Sequence, residues 1–206
     1  MTSAASKSPL WGCLLIGGKS SRMGRPKHLL PLPDGSLWLE RVAALARPRV
    51  AGLLCVGAGE IPKSLAALPR LADAAGAAGP LAGIVAAFRY QPEASWLVLA
   101  CDMPLVSQAA LDWLLATRQP GDWAVMPRLA PAARPQPLFA WYGPECRPLF
   151  EERLAQGEMR LHELAAHPGV SSPLVPKTFV AAWRNINTPS ELAALNRELA
   201  EAGEER

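Results

Sequence analysis

Between Leu14 and Leu30 the chain reads LLIGGKSSRMGRPKHLL: an apolar run, then a loop holding Gly17, Gly18 and Gly24 and the cations Lys19, Arg22, Arg25 and Lys27. Cations so closely spaced repel one another unless water screens them or an anion sits among them. Successive glycines let the backbone take positive φ and approach a ligand, and consecutive N–H groups in such turns form anion-binding concavities. The segment reads as a phosphate site. It differs from two familiar ones. A Walker A loop has Gly, four residues and then Gly-Lys-Ser/Thr, whereas CLLIGGKS puts Cys13, inside the strand, where the first glycine belongs. The stretch GAGEIP begins like a dinucleotide fingerprint but has Pro62 in place of the third glycine, and reads as a turn.

Two carboxylates complete the chemistry. Asp102 closes the apolar run WLVLACDMPL, and Pro104 keeps that strand from continuing. A hard divalent cation such as Mg²⁺ takes carboxylate, phosphate and water oxygens, which makes Asp102 the candidate ligand, with a turn or helix cap as the bland alternative. Asp73 ends RLAD and precedes AAGAAGPLAGI, where Gly76, Gly79 and Gly83 allow close backbone approach. An Asp there can bond a ribose hydroxyl, help hold a metal, or simply shape a turn. His28, His162 and His167 fit no catalytic arrangement and read as structural. A phosphate nucleophile needs no base, because its second pKa of about 6 leaves it largely anionic at neutral pH.

These residues need a scaffold that gathers strand ends. Apolar runs alternate with helix-like stretches: LWGCLLI with SLWLERVAALA, AGLLCVG with IPKSLAAL, ASWLVLAC with SQAALDWLLAT. Continuously apolar strands are buried on both faces, and intervening helices make the sheet mostly parallel, so an open α/β fold is predicted. In such sheets ligands bind outside the carboxyl ends of the strands, where the glycine loop and Asp102 fall. Ser36 and Ser107 read as N-caps, and Thr188, Pro189 and Glu191 as cap, first turn and capping box of a last helix. The Pro-rich segment 120–137 predicts one strand and a mobile loop.

The 206 residues, half of them hydrophobic and 19% charged, suit one compact globular domain. The net charge of +3 is dispersed, with no Lys/Arg run for nucleic acid or an anionic membrane. Cys13, Cys55, Cys101 and Cys146 form no C-x-x-C pair and read as reduced thiols. The run LWGCLLIG is too short to span a bilayer or to make a signal core, so a cytoplasmic location is expected.

In order and separation, LIGGKSSRMGRPK, DAAGAAGPLAGI, ACDMPL, QPLFAWY and NINTPSEL resemble the molybdenum cofactor guanylyltransferases and their nucleotidyltransferase relatives. The resemblance runs from about residue 10 to 195. It implies a three-layer Rossmann-like α/β domain over 1–206, with a nucleotide-binding half at about 10–118 and an acceptor, pterin-binding half at about 119–206. It also implies transfer of GMP from Mg-GTP to the terminal phosphate of molybdopterin, with release of pyrophosphate. By the resemblance, the backbone of Leu15, Ile16, Gly17 and Gly18 holds the nucleotide, Arg22 and Lys27 neutralise the triphosphate, and Asp102 binds magnesium. Asp73 matches a nucleotide-contacting acid, Gly79 to Gly83 a loop near the base, and Asn185 and Asn187 the pterin side. Transient contact with molybdoenzymes or their chaperones is implied as well. The chain departs from the family at Ile16, where alanine is common, and after the second strand, where CVGAGE lacks a frequent asparagine. A cytidylyltransferase for the same pterin, a sugar-phosphate nucleotidyltransferase and a non-catalytic pterin carrier are the rival readings.

Overall fold

The structure, a computed structural model, describes residues 8–17, 26–76 and 79–204. Its strands are β1 (Leu10–Leu15), β2 (Gly52–Val56), β3 (Arg70–Leu71), β4 (Ser95–Ala100), β5 (Ala124–Val125), β6 (Phe139–Tyr142) and β7 (Val170–Ser171). They form one seven-stranded sheet in the order β3-β2-β1-β4-β6-β5-β7. β1 pairs in parallel with β2 on one side and β4 on the other, and among the described strands only β6 runs antiparallel to its neighbours. All six residues of β4 are buried, as the unbroken apolar run predicted.

Helices cover both faces. α1 (Trp38–Ala46) and α3 (Gln108–Ala116) pack with Leu14, Leu53, Leu97 and Leu99 on one face. α2 (Pro80–Tyr90) and α4 (Cys146–Gln156) pack with Cys13, Leu54, Trp96 and Val98 on the other. Successive side chains of each strand thus feed opposite cores, which makes three layers. The chain runs outward from β1 through β2 to β3, then crosses back to β4 on the far side of β1. That reversal makes the carboxyl ends of β1 and β4 a topological switch point, where open α/β sheets bind ligands.

The last helix, α5 (Pro189–Glu204), begins as expected: Thr188 Oγ1 accepts from the Glu191 amide at 3.2 Å, and Glu191 reaches back to the Thr188 amide at 3.0 Å. Ser107 caps α3 by accepting from the Ala110 amide at 3.2 Å. Ser36 does not cap α1. Its hydroxyl turns to Asp34, and the helix starts after Leu37, whose amide donates to Glu40 at 2.9 Å. The Pro31–Leu37 bridge sets this start by holding Leu37 extended. The helix expected at 61–68 is a single 3-10 turn, Lys63–Leu65. Pro62 and Pro69 enclose too few residues for two α turns, and a residue before proline avoids the α region. The segment 120–137 supplies β5 and then irregular chain. Among the described residues, no helix is long and apolar enough to cross a membrane.

Candidate active site

At the switch point, β4 ends at Ala100 and delivers Asp102, while the chain after β1 returns through the 3-10 turn Lys27–Leu29. Lys27 Nζ stands 3.8 Å from Asp102 Oδ2 and donates to Asn187 Oδ1 at 2.6 Å. A third segment, just before α5, therefore enters the site. Three contacts place it there: Trp183 stacks on Phe139 with ring centroids 4.1 Å apart, its indole N–H donates to the Phe139 carbonyl at 3.0 Å, and the Ile186 amide donates to the Asp102 carbonyl at 2.9 Å. Ile186 is buried, so Asn185 and Asn187 on either side of it face outward. The Asn187 amide also donates to Glu191 at 2.6 Å, and this bond is the main reason that the Glu191 carboxyl lies below its usual pKa.

Asp102 is mostly buried, and its Oδ1 finds no partner among the described residues. Burial pushes its carboxyl pKa above the usual range, and Lys27 counters that in part. A buried carboxylate oxygen without a donor suits a cation shared with a ligand. Among the described residues no cluster of three or more His, Cys, Asp or Glu side chains could cage a metal. The donor set therefore fits Mg²⁺ held by one carboxylate together with phosphate oxygens and water.

The floor of the site is backbone. The Ile16 amide donates to the Val56 carbonyl at 2.9 Å, and its side chain is 3% exposed within the core, so its extra bulk stays out of the nucleotide loop. Leu15, the last residue of β1, also packs inward, on the opposite face. Gly57 has φ +123°, and a Cβ there would lie 2.7 Å from the Gly17 amide nitrogen. Gly57→Ala is expected to cost about 2–4 kcal/mol, from a left-handed alanine plus a backbone clash, and to weaken nucleotide affinity. Urea titration with and without GTP measures both. Asp73 lies two residues past β3, and its Oδ2 is 3.8 Å from where a Gly17 Cβ would be. Gly79, with φ +77°, is the residue before α2. Gly83 is not part of a loop, as expected from sequence, but lies inside α2. A Cβ there would meet Leu15 at 2.7 Å, so this glycine lets the helix settle on β1. Gly18 and Arg22 lie outside the described residues.

His28, which follows Lys27, is 3% exposed and donates from Nε2 to the Glu60 carbonyl at 2.6 Å. It ties the Lys27 turn to the loop after β2, where a Cβ on Gly59 would strike its ring at 2.7 Å. Sequence alone gave His28 no such role, because the tie depends on the spatial approach of a loop 32 residues away. Burial lowers its pKa, partly countered by the Glu60 bond. In the unfolded chain a His takes up a proton near pH 6.5, so His28 costs stability as pH falls through that value. The slope is at most about 1.4 kcal/mol per pH unit, and His28→Gln should flatten it in denaturant titrations between pH 7.5 and 5.

A family model, the MobA-like NTP transferase domain, matches residues 12–170. The chain belongs to the MobA-like NTP transferase family. It is 35% identical over 196 residues to a molybdenum cofactor guanylyltransferase of Rhizobium meliloti, covering 87% of each chain. It is 27% identical to the molybdenum cofactor biosynthesis bifunctional protein of Synechocystis, covering 93% of this chain but 55% of that longer protein. The crystal structure of molybdopterin-guanine dinucleotide biosynthesis protein A from Archaeoglobus fulgidus superposes with a TM-score of 0.76 at 25% identity, covering 93% of this chain and 99% of the other. This family and that neighbour agree with the Rossmann-like nucleotidyltransferase fold described above. The family model includes Lys27, Asp73 and Asp102 but stops short of Asn187.

Proposed function

We propose that this chain transfers GMP from GTP to the terminal phosphate of molybdopterin and releases pyrophosphate. The observation that carries the proposal is the facing pair Lys27 and Asp102 at the switch point, with one Asp102 oxygen unpartnered among the described residues, in a chain of this family. The relatives named as molybdenum cofactor guanylyltransferases supply the base and the acceptor. In this reading an acceptor phosphate oxygen attacks the α-phosphorus of GTP in line, a P–O bond forms, and the bond to the β-phosphate bridging oxygen breaks. The Lys27 ammonium, and Arg22 in the same glycine-rich segment of the sequence, offset the charge that grows on the departing pyrophosphate. Asp102 would hold Mg²⁺, which when bound neutralises triphosphate oxygens. The backbone at Leu15, Ile16, Gly17 and Gly18 lines the nucleotide, Asp73 and Gly79 lie on its ribose and base side, and Asn185 and Asn187 face the acceptor. At the end of β2 the chain offers Val56, Gly57 and Ala58 where the family often has an asparagine, so base contacts there would come from backbone groups.

The test is thermal unfolding with GTP, CTP and ATP, each with and without Mg²⁺, followed by pyrophosphate release on adding molybdopterin. Ligand at about 100 times its dissociation constant adds about 2.7 kcal/mol, or about 5–10 °C for a chain of this size. A magnesium-dependent shift with GTP alone, and pyrophosphate formed only with the pterin, is the expected result. A shift with CTP alone would assign cytidylyl transfer instead. Pterin binding without pyrophosphate release would make the chain a carrier.

A further inference from the structure

Buried side-chain polar atoms are normally hydrogen-bonded, so each exception marks a place where a partner is missing. Among the described residues seven such atoms lack one: three indole nitrogens, Arg153 Nε, Asp102 Oδ1, Arg128 Nε and Ser172 Oγ. The last three share a location. Asp102 follows β4, Arg128 follows β5 and Ser172 follows β7, and these three strands run in the same direction, so all three atoms lie at the carboxyl edge of the sheet.

Register places them more closely. Val125 pairs with Ser171, and the bridge Arg128–Leu174 continues the same ladder, so Ser172 stands opposite Met126. Residues two apart in a strand share a face, as do partners in a parallel pair. Met126, Arg128, Ser172 and Leu174 therefore stand on one face, the one whose core includes Met126, Cys13 and Leu81. Through β6, Val125 is level with Leu97, which puts Arg128 level with Ala100 at the end of β4. The lateral separation is two strand spacings, about 10 Å. Arg128 is held in place by its own backbone: its amide donates to the Pro173 carbonyl at 2.9 Å, and its carbonyl accepts from the Val175 amide at 2.9 Å. Its guanidinium has no carboxylate partner among the described residues, whereas Arg49, Arg89, Arg153, Arg160 and Arg184 each have one. Beside it Leu174, a large apolar side chain, is 53% exposed.

The geometry points to Arg128, Ser172 and Leu174 as the seat for the heterocyclic head of the phosphorylated acceptor. This inference rests on the transfer reading, which brings the acceptor phosphate to the α-phosphorus of GTP beside Asp102, on the side away from the departing pyrophosphate. A fused-ring heterocycle joined to that phosphate extends along the sheet edge toward β5. Arg128 offers planar N–H donors to a carbonyl or ring-nitrogen edge, Ser172 offers a hydroxyl that can donate or accept, and Leu174 covers an apolar ring face. The three residues bind and position the acceptor and take no part in bond making.

Steady-state transfer with molybdopterin and GTP tests this. Arg128→Met keeps the apolar stem and removes the charge. It is expected to raise the acceptor KM about tenfold or more, while the GTP KM and the magnesium-dependent GTP melting shift stay within about twofold of wild type. Arg128→Lys should recover part of the loss, and Leu174→Ser, at an exposed position, should raise the acceptor KM without changing stability. A residue that only supported the fold would move both KM values or the melting temperature. Unchanged acceptor KM in Arg128→Met and Leu174→Ser, measured against an active wild type, overturns the assignment and leaves the transfer reading standing. A wild-type chain that binds GTP but transfers nothing to the pterin overturns both.

Discussion

Asp102→Ala is expected to reduce turnover about 10³-fold or more, while the chain melts in the absence of metal at or above the wild-type temperature. The two halves of this expectation have one cause. The carboxylate is mostly buried, its Oδ1 has no partner among the described residues, and burial raises its pKa, so the folded protein holds the charged form at a cost. Truncation relieves that cost and leaves Lys27 its bond to Asn187. In the proposed reaction Asp102 would anchor Mg²⁺ on the triphosphate, whose charge stabilisation is worth several kcal/mol, and about 4 kcal/mol corresponds to a thousandfold in rate. Asp102→Asn separates charge from shape: it keeps the volume, so a similar loss of turnover together with a greatly raised Mg²⁺ requirement would locate the effect in the charge. The measurements are steady-state pyrophosphate release over a Mg²⁺ titration and thermal melts with and without Mg-GTP. Turnover within tenfold of wild type in Asp102→Ala would remove this residue from the chemistry.

Asp102 was legible in sequence because its placement is local: an apolar run ends in an acid, and a proline two residues on stops the strand. The parallel sheet was legible for the same reason, since β1, β2 and β4 are unbroken apolar runs and the stretches that become α1, after β1, and α3, after β4, show helical spacing. The short elements were not. Leu71 and Ser171 end two-residue strands whose existence depends on neighbours supplied by distant chain, and the Pro62 to Pro69 stretch looks helical in composition while being too tightly bounded to form one. The family resemblance puts Gly83 in a loop, whereas its reason is the close approach of α2 to Leu15, a partner that only the packed structure reveals. His28 and Arg128 carry no sequence signal at all. One is defined by the carbonyl it meets across the fold, and the other by a partner that the described residues do not supply.

The bond between Lys27 and Asn187 spans 160 residues of sequence, and it yields the second large prediction. Lys27→Ala is expected to lower turnover about 10²–10³-fold, as removal of a single preorganised charge-stabilising donor does elsewhere. Asn187→Ala is expected to lower it about tenfold, because the flexible lysine stem loses a fixed endpoint while the charge remains. The double variant decides what Asn187 does. If Asn187 acts by aiming the ammonium, its removal costs nothing further once Lys27 is gone, and the double variant matches Lys27→Ala. If Asn187 instead holds the acceptor independently, the two losses multiply, and the acceptor KM rises in Asn187→Ala with or without the lysine. The structure favours coupling, because Ile186 pins this segment to the Asp102 carbonyl and Glu191 pins the Asn187 amide, so the Asn187 carbonyl is fixed at 2.6 Å from the ammonium. Full multiplicativity in the cycle would break that argument and return Asn187 to the acceptor side alone.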